Sequence, residues 1–224
     1  GDVYKRQTQG SGGIALYNLT TDSWQAELLP SGAVNRVTSH ISSNGIEWIS
    51  WGEEKLEAFY ANGTKLGEWD DLEFPIREII EYDGLILFAT EDGVERFNET
   101  SFSWESTWTP GNGLPNNMGD WVGELWTDGQ HLLVGSATFA GWGGFQRGIV
   151  GHLDGSTGTW STFNTGHNGV PNGYPLSMSE CGAYLYIGLF NNNGGVMYMD
   201  LNTSSVIGSF TTSVLSNGRV ASVA

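Results

Sequence analysis

The chain has 224 residues, which is long enough to bury a sizeable core in one or two domains. Lys and Arg number 9 against 25 Asp and Glu, and this net charge of -16 argues against nucleic-acid backbones and anionic membrane surfaces as partners. The 12% aromatic content excludes a disordered chain, and the single cysteine excludes an intrachain disulfide or a multi-cysteine zinc site. No stretch approaches the roughly 18 apolar residues of a membrane span, so we expect no membrane insertion from this part of the protein.

The N-terminal residues 2–7 read DVYKRQ, which is the translation of GAT GTG TAT AAG AGA CAG. That DNA resembles the transposase mosaic-end adapter used for sequencing libraries, although an ordinary polar N-terminus is the alternative. We therefore treat residues 1–9 as a non-native or disordered segment and expect few ordered contacts from them. An adapter would indicate an uncultured environmental (metagenomic) source.

Four turn dipeptides divide the rest of the chain: Asn44-Gly45, Asp83-Gly84, Asp128-Gly129 and Cys181-Gly182. A short run rich in β-branched and aromatic residues follows each of them: IEWISW, LILFAT, QHLLVG and AYLYIG. Asn-Gly and Asp-Gly favour positive φ and suit two-residue hairpins, and the runs are typical of buried strands. Their recurrence at about 40 to 50 residues indicates a repeat architecture.

Two further patterns recur in step with the hairpins. An apolar-Asn or apolar-Asp pair is followed by a Trp seven residues after the apolar residue, at Tyr17 and Trp24, Phe97 and Trp104, and Leu153 and Trp160. Met199-Asp200 leads instead to Val206. Loops rich in Gly, Pro and Asn separate the units, most clearly at residues 112–117 and 168–173.

Each unit thus contains four antiparallel strands, which predicts an all-β β-propeller of four-stranded blades. The units are approximately 10–35, 36–75, 76–117, 118–173 and 174–218, with the start of the next at 219–224. The inner strands are predicted at 37–42, 76–82, 122–127 and 176–180. We expect a partial propeller, with about four whole blades plus incomplete ones, cut from a longer reading frame. A β-sandwich is the weaker alternative, because sandwiches do not show three patterns in step.

Residues 113–135, GLPNNMGDWVGELWTDGQHLLVG, carry a family resemblance. They resemble the two-component-regulator propeller repeat, in which a G-L-P-x-N loop precedes an inner strand, D-G, L-W-I-G-T and then G-[LV]-x-R-[FY]-[ND]. Residues 83–90 and 93–98, DGLILFAT and GVERFN, match the later part. The similarity covers 76–218 well and 10–75 loosely. It implies an extracytoplasmic propeller, often of seven or eight blades, that is sometimes the sensor of a membrane histidine kinase.

A candidate ligand-binding rim follows from the predicted order of strands. The loop between the second and third strands lies on the same rim as the loops between blades, and rigid scaffolds often carry function on such loops. The longest of these loops, ATFAGWGGFQR, lies near the inter-blade loop NTGHNGVPNG. The candidate rim residues are Phe139, Trp142, Phe145, Gln146, Arg147, His167, Asn168, Asn172 and Tyr174. The competing interpretation is that Trp142, Phe139 and Phe145 only cap the blade edges.

No catalytic or metal-binding pattern is evident. The four His residues form no H-x-H or H-E-x-x-H pattern, and Cys181 has no basic neighbour that would activate its thiol. Calcium is possible at the acidic pairs 53–54 and 70–71, but no D-x-D-x-[DN]-G loop supports it, so no cofactor is predicted. Residues 53–59 could form one helical turn or a strand flank.

We therefore predict a non-enzymatic exported or cell-surface module that binds a ligand, glycan or protein through one rim. Acidity, few Lys and the N-x-[ST] sequons at Asn18, Asn62, Asn98 and Asn202 suit an extracellular or periplasmic location. The remaining blades of a longer chain would be further partners. The alternative is an enzyme on a propeller scaffold, such as a glycan lyase or glycosidase.

Overall fold

The described elements are β-strands and turns. The computed structural model describes residues 3–8, 13–18, 21–28, 37–51, 55–69, 72, 74–140, 144–168, 170–191, 194–203, 205–211 and 223. Within them there is no helix. The chain divides into two compact units, residues 1–79 and 80–224.

The first unit contains two antiparallel sheets and the first residues of a third. A three-stranded sheet has the order β1-β2-β3, and a four-stranded sheet has the order β4-β5-β6-β7. Their strands are β1 Val3–Thr8, β2 Gly13–Asn18, β3 Ser23–Leu28, β4 Val37–Ser43, β5 Ile46–Trp51, β6 Lys55–Tyr60 and β7 Lys65–Trp69.

The N-terminal segment corrects one prediction. Val3 pairs with Asn18 and Tyr4 with Tyr17, and the antiparallel register continues to Thr8 and Gly13. The expectation of few ordered contacts from residues 1–9 is therefore wrong for residues 3–8. The physical reason is that Val3–Thr8 includes β-favouring Val, Tyr and Thr and lies one short connection before an apolar strand with which it can form a hairpin.

The second unit contains two complete four-stranded sheets and most of a third. The sheet orders are β8-β9-β10-β11, β14-β15-β16-β17 and β18-β19-β20-β21. A short parallel pair, β12 with β13, lies between the first two sheets in sequence. The strands are β8 Glu78–Tyr82, β9 Leu85–Thr90, β10 Gly93–Asn98, β11 Ser103–Trp104, β12 Thr109–Pro110, β13 Gly113–Leu114, β14 Trp121–Thr127, β15 His131–Ala140, β16 Gly144–Asp154, β17 Thr159–Asn164, β18 Tyr174–Cys181, β19 Tyr184–Phe190, β20 Gly195–Asp200 and β21 Ser205–Phe210.

The four predicted inner strands are all strands, and each is the first strand at the edge of its sheet. Two of the hairpin turns have the expected geometry, because Asn44 and Gly45, and Asp83 and Gly84, adopt positive φ in both turn positions. The turn after β14 differs. Asp128 is not among the residues with positive φ, and its carboxylate instead accepts hydrogen bonds from the backbone N–H groups of Gln130 and His131. The alternative of a helical turn near 53–59 is not realised within β6, and residues 52–54 lie outside the described part.

Two apolar clusters lie between neighbouring sheets of the second unit. The first joins sheet β8–β11 to sheet β14–β17, and its buried members are Tyr82, Leu87, Ala89, Val94, Leu114, Met118, Val122, Leu125, Leu132, Val134 and Ile149. The second joins sheet β14–β17 to sheet β18–β21 through Leu133, Val150, Met178, Leu185, Ile187, Leu189, Met197, Met199 and Leu201. Each face of sheet β14–β17 therefore packs against a different neighbour, which is how a sheet with apolar residues on both faces removes them from water.

Candidate functional site

The hairpin of β15 and β16 extends beyond the rest of its sheet. β14 pairs with β15 only as far as Trp121 and Ala137, and β17 pairs with β16 only as far as Ile149 and Asn164. The β15–β16 pairing continues to Ala140 and Gly144, with a register shift between Thr138 and Phe139. The long loop predicted from the sequence is thus in part a projecting strand pair.

Five aromatic side chains meet at the base of this hairpin, and we call them the aromatic cluster: Trp121, Phe139, Phe145, Tyr174 and Phe190. The ring of Tyr174 is central, with its centroid 5.2 Å from that of Trp121, 5.4 Å from Phe145, 6.0 Å from Phe139 and 5.3 Å from Phe190. Phe139 also lies 5.7 Å from Trp121 and 6.2 Å from Phe145 in edge-to-face arrangements. Such geometries suit aromatic quadrupoles, so the cluster is a well-packed unit.

The aromatic cluster is open on one side. Phe139 is 39% exposed, and the other four rings are half-buried. The cluster joins sheet β14–β17 to sheet β18–β21, because Tyr174 begins β18 and Phe190 ends β19. Most of the rings thus pack together, while Phe139 offers a ring surface to solvent.

A bulge places Trp121 in the aromatic cluster. The register between β14 and β15 shifts between Val122 and Glu124, which leaves Gly123 as the extra residue. A Cβ atom at Gly123 would lie 2.4 Å from the ring of Trp121 and 2.8 Å from the carbonyl oxygen of Pro175. Only glycine leaves room for the indole and the neighbouring backbone at this position.

The other predicted rim residues have mixed positions. Gln146, His167 and Asn168 are exposed. The Arg147 guanidinium donates from Nη2 to the carbonyl oxygen of Asn117 at 3.0 Å. Asn172 is half-buried and packs against the turn at Gly166. Its Oδ1 lies 3.1 Å from the position that a Cβ atom on Gly166 would take. Trp142 lies outside the described residues.

The structure thus brings Phe139, Phe145 and Tyr174 together, and the sequence interpretation missed Trp121 and Phe190. Pairing registers are the signal that could have found them. Tyr174 and Phe190 are direct partners across β18 and β19, and Trp121 pairs with Ala137, two residues before Phe139. Cross-strand partners on one face lie close enough for aromatic contact.

A groove of about 300 Å³ lies on the face of sheet β18–β21 opposite the second apolar cluster. It is lined by Ser179, Cys181, Tyr186, Val196, Phe210 and Val223. Tyr186 stacks on Tyr198 with 5.6 Å between centroids, and Tyr198 stacks on Phe210 at the same distance. Cys181 is an exposed free thiol at the edge of this groove.

Polar groups are also buried within sheet β4–β7 of the first unit. Lys65 Nζ lies 2.6 Å from the fully buried Glu57 and 2.5 Å from Glu68, and Lys55 Nζ lies 2.7 Å from Glu68. Burial disfavours the ammonium of Lys65, but the hydrogen bonds and charges of Glu57 and Glu68 outweigh burial and raise its pKa. In this ion-pair network only Glu57 is buried, Lys65 and Glu68 are exposed, and each carboxylate has a lysine beside it.

Within the described ranges, no three His, Cys, Asp or Glu side chains are grouped so that they could hold a metal ion. In the same part of the chain, no helix has the length and apolar character needed to cross a membrane.

Solved structures resemble the chain in fold. A chain of the mitotic checkpoint complex matches with a TM-score of 0.66 and 12% identity over 99% of this chain, and a chain of the U3-55K structure matches with 0.62 and 12% over 94%. The computationally designed Ika8 protein matches with 0.57 and 10% over 100% of this chain and 75% of its own. The chain spans 63% and 61% of the first two. No protein-family model and no curated protein matches the sequence.

At these identities the likeness concerns the fold alone. Together with the repeated four-stranded antiparallel sheets, it defines the class of protein: the chain has an all-β fold built of β-propeller blades. The predicted fold class is confirmed.

Proposed function

We propose that the chain is a non-enzymatic binding module of an exported or cell-surface protein and that it binds a glycan through the aromatic cluster. The observation that carries this proposal is the half-open group of five rings across two blades, with Phe139 exposed. Ligand sites combine aromatic walls with a few polar groups, and here the exposed amide of Gln146 follows Phe145 directly. Ring faces of this kind can pack against the apolar faces of sugar rings.

The net charge of -16 favours neutral or basic glycans over anionic ones. The motif at residues 113–135 supports assigning the blades to the two-component-regulator propeller type, and with it a sensor or scaffold role. The enzymatic alternative, a glycan lyase or glycosidase, has no observation among the described residues that favours it over binding.

Electrophoresis through gels that contain soluble neutral polysaccharides tests the proposal. The probes are a mixed-linkage β-glucan, a xyloglucan, a galactomannan and an α-mannan. We expect at least one of them to retard the wild-type chain. Phe139→Ala should weaken that binding by about tenfold, because truncating an aromatic anchor costs about 1–2 kcal/mol.

The matched control is Phe102→Ala. Phe102 is 43% exposed and packs edge-to-face on Phe97, away from the aromatic cluster in sequence and in sheet. It should leave the retardation unchanged. Absence of retardation by all four polysaccharides, or equal loss in both variants, contradicts the proposal. Release of reducing ends from a retarding polysaccharide would favour the enzymatic alternative instead.

A further inference from the structure

Two histidines that binding at the aromatic cluster does not use lie side by side in sheet β14–β17. His131 begins β15 and His152 lies in β16, and their ring centroids are 5.2 Å apart. The pairing of β15 with β16 explains why the two rings are close. His152 is the direct cross-strand partner of Leu133, and His131 lies two residues before Leu133 on the same face of β15. Both are buried, with 9% of His131 and 1% of His152 exposed.

The pair lies on the face that packs against the next sheet. Leu133, the cross-strand partner of His152, belongs to the apolar cluster that contains Met197 and Met199 of sheet β18–β21. Val150, two residues from His152 along β16 and on the same face, belongs to that cluster too. The imidazoles are therefore part of the junction between the two sheets.

The two imidazoles have unequal surroundings. His131 Nδ1 lies 2.9 Å from the Asp128 carboxylate, which can neutralise a protonated ring. His152 Nδ1 lies 3.5 Å from the Ser161 hydroxyl, and its Nε2 is buried with no hydrogen-bond partner among the described residues. A protonated His152 would therefore place a charge in the junction with no acceptor, in that part of the chain, for its Nε2–H group.

Several charged groups surround the pair, and one is Glu124 on the same face of β14, whose Oε1 accepts a hydrogen bond from the backbone N–H of Met178 at 3.2 Å. Burial lowers the pKa of His152, and the charge of His131 lowers it further, while Asp154 and Asp128 oppose that shift. On the facing sheet, strand alternation places Glu180 on the same face as Met178, and Glu180 is exposed at the end of β18. From sheet β8–β11, Tyr82 faces Asp128 and Asp154. Asp200 lies on the opposite face of sheet β18–β21, paired with Tyr184.

We propose that the buried His131–His152 pair makes this junction acid-sensitive: protonation of His152 loosens sheet β18–β21 from sheet β14–β17. The neutral His152 ring packs beside the apolar cluster, whereas a protonated ring would place a positive charge about 5 Å from the ring of His131. His131 has the Asp128 carboxylate beside it, but no carboxylate is within hydrogen-bonding distance of His152 among the described residues.

The sign of the pH dependence follows from the lowered pKa of His152. In the folded state this imidazole resists protonation, whereas in the loosened state it binds a proton near its ordinary pKa of about 6.5. The stabilising contribution is complete above about pH 6.5 and is lost as the pH falls below it. One such group changes the opening equilibrium by at most about tenfold per pH unit.

Amide hydrogen exchange of the whole chain without ligand, at about pH 7.5 and 5.5 and corrected for intrinsic rates, tests the proposal. We expect the opening equilibrium of β19 and β20 amides to rise several-fold, with an upper limit of about tenfold, because only the pH unit below about 6.5 contributes. Amides of β9 and β10 should change far less. His152→Leu should abolish most of the rise, and the exposed His167→Gln should retain it.

An unchanged opening equilibrium in the wild type, or an equal rise in His152→Leu, overturns the proposal. If His152→Leu does not fold, His131→Leu is the second variant, and it should reduce the rise by removing the neighbouring charge. Because the aromatic cluster spans the same two sheets, acid should also weaken glycan binding there. That consequence rests on the proposed function, whereas hydrogen exchange measured without ligand does not. The acid-sensitive junction and the glycan-binding function can therefore be refuted independently of each other.

Discussion

Glu78, at the start of β8, is a half-buried carboxyl group. The Ser39 hydroxyl donates to Glu78 Oε1 at 3.0 Å, and the backbone N–H of Ile79 donates to the Ser39 oxygen at 3.0 Å. Burial raises the pKa of Glu78, and the hydrogen bonds from Ser39 and Ile79 only partly oppose it. These hydrogen bonds link Ser39 in β4 to the first two residues of β8, all within residues 1–79.

We predict that Glu78→Gln stabilises the first unit at neutral pH. The unfolded side chain loses its proton near its ordinary pKa of 4.5, whereas the folded one holds it to higher pH, so folding becomes less favourable as the pH rises through that interval. Glutamine keeps the Oε1 acceptor without the charge. Denaturant unfolding should show a gain of about 1 kcal/mol at pH 7 and none at pH 4.

The control for this measurement is Glu81→Gln, an exposed carboxyl on the same strand, which should change stability little at either pH. An equal gain for Glu78→Gln at both pH values would show that charge burial is not the cause.

The bulge in β14 makes the aromatic cluster depend on a single glycine. We predict that Gly123→Ala displaces the Trp121 ring, because the added Cβ would lie 2.4 Å from that ring and 2.8 Å from the backbone oxygen of Pro175. The ring can move, but the backbone cannot do so without disturbing β18. Loss of near-ultraviolet circular dichroism from the packed rings, with far-ultraviolet signal retained, is the expected result.

Gly182→Asn is the matched control for this substitution. Gly182 lies in the turn between β18 and β19 with φ of 66° and open space around it, and Asn tolerates such a conformation better than other side chains. It should leave the aromatic signal intact. An unchanged near-ultraviolet spectrum in Gly123→Ala would contradict the role of the bulge in seating Trp121.

The groove face of sheet β18–β21 corresponds to the face of sheet β14–β17 that packs against another sheet. The two sheets can be aligned on equivalent strand pairs, Leu185 with Met199 in one and Leu132 with Leu153 in the other. In this alignment Tyr186 takes the position of Leu133. Val196 and its partner Phe210 take the positions of Val150 and its partner Phe163. Leu133, Val150 and Phe163 pack against sheet β18–β21 itself. Tyr184 and Phe210, by contrast, are 37% and 41% exposed.

We therefore predict that residues 8–224 expressed alone are oligomeric, poorly soluble, or frayed in the first and last sheets, with residues 76–173 the most protected from exchange. Exposed apolar faces promote association, and neighbouring repeats contribute much of each other's stability. Size-exclusion chromatography at several concentrations and hydrogen exchange measure these outcomes. A monomer protected uniformly from residue 12 to residue 223 would show that this face needs no further partner.

The sequence by itself determined the strands, their grouping in fours and most of the turns, because those depend on local alternation and on residues such as Asn44 and Asp83 that tolerate positive φ. It identified Phe139, Phe145 and Tyr174 as neighbours because the predicted loops share a rim. Local signals failed at Val3–Thr8, where a resemblance at the level of DNA carried no information about pairing with β2.

Tertiary structure decided which side chains meet. Trp121 joins the aromatic cluster through a one-residue bulge, and Phe190 joins it through the register of β18 with β19. His131 and His152 lie in separate runs of the sequence, and only the β15–β16 register and the covering sheet make them a buried pair. The physical reason is that register, bulges and sheet stacking are set by contacts between residues far apart in the chain, which residue type and spacing do not encode locally.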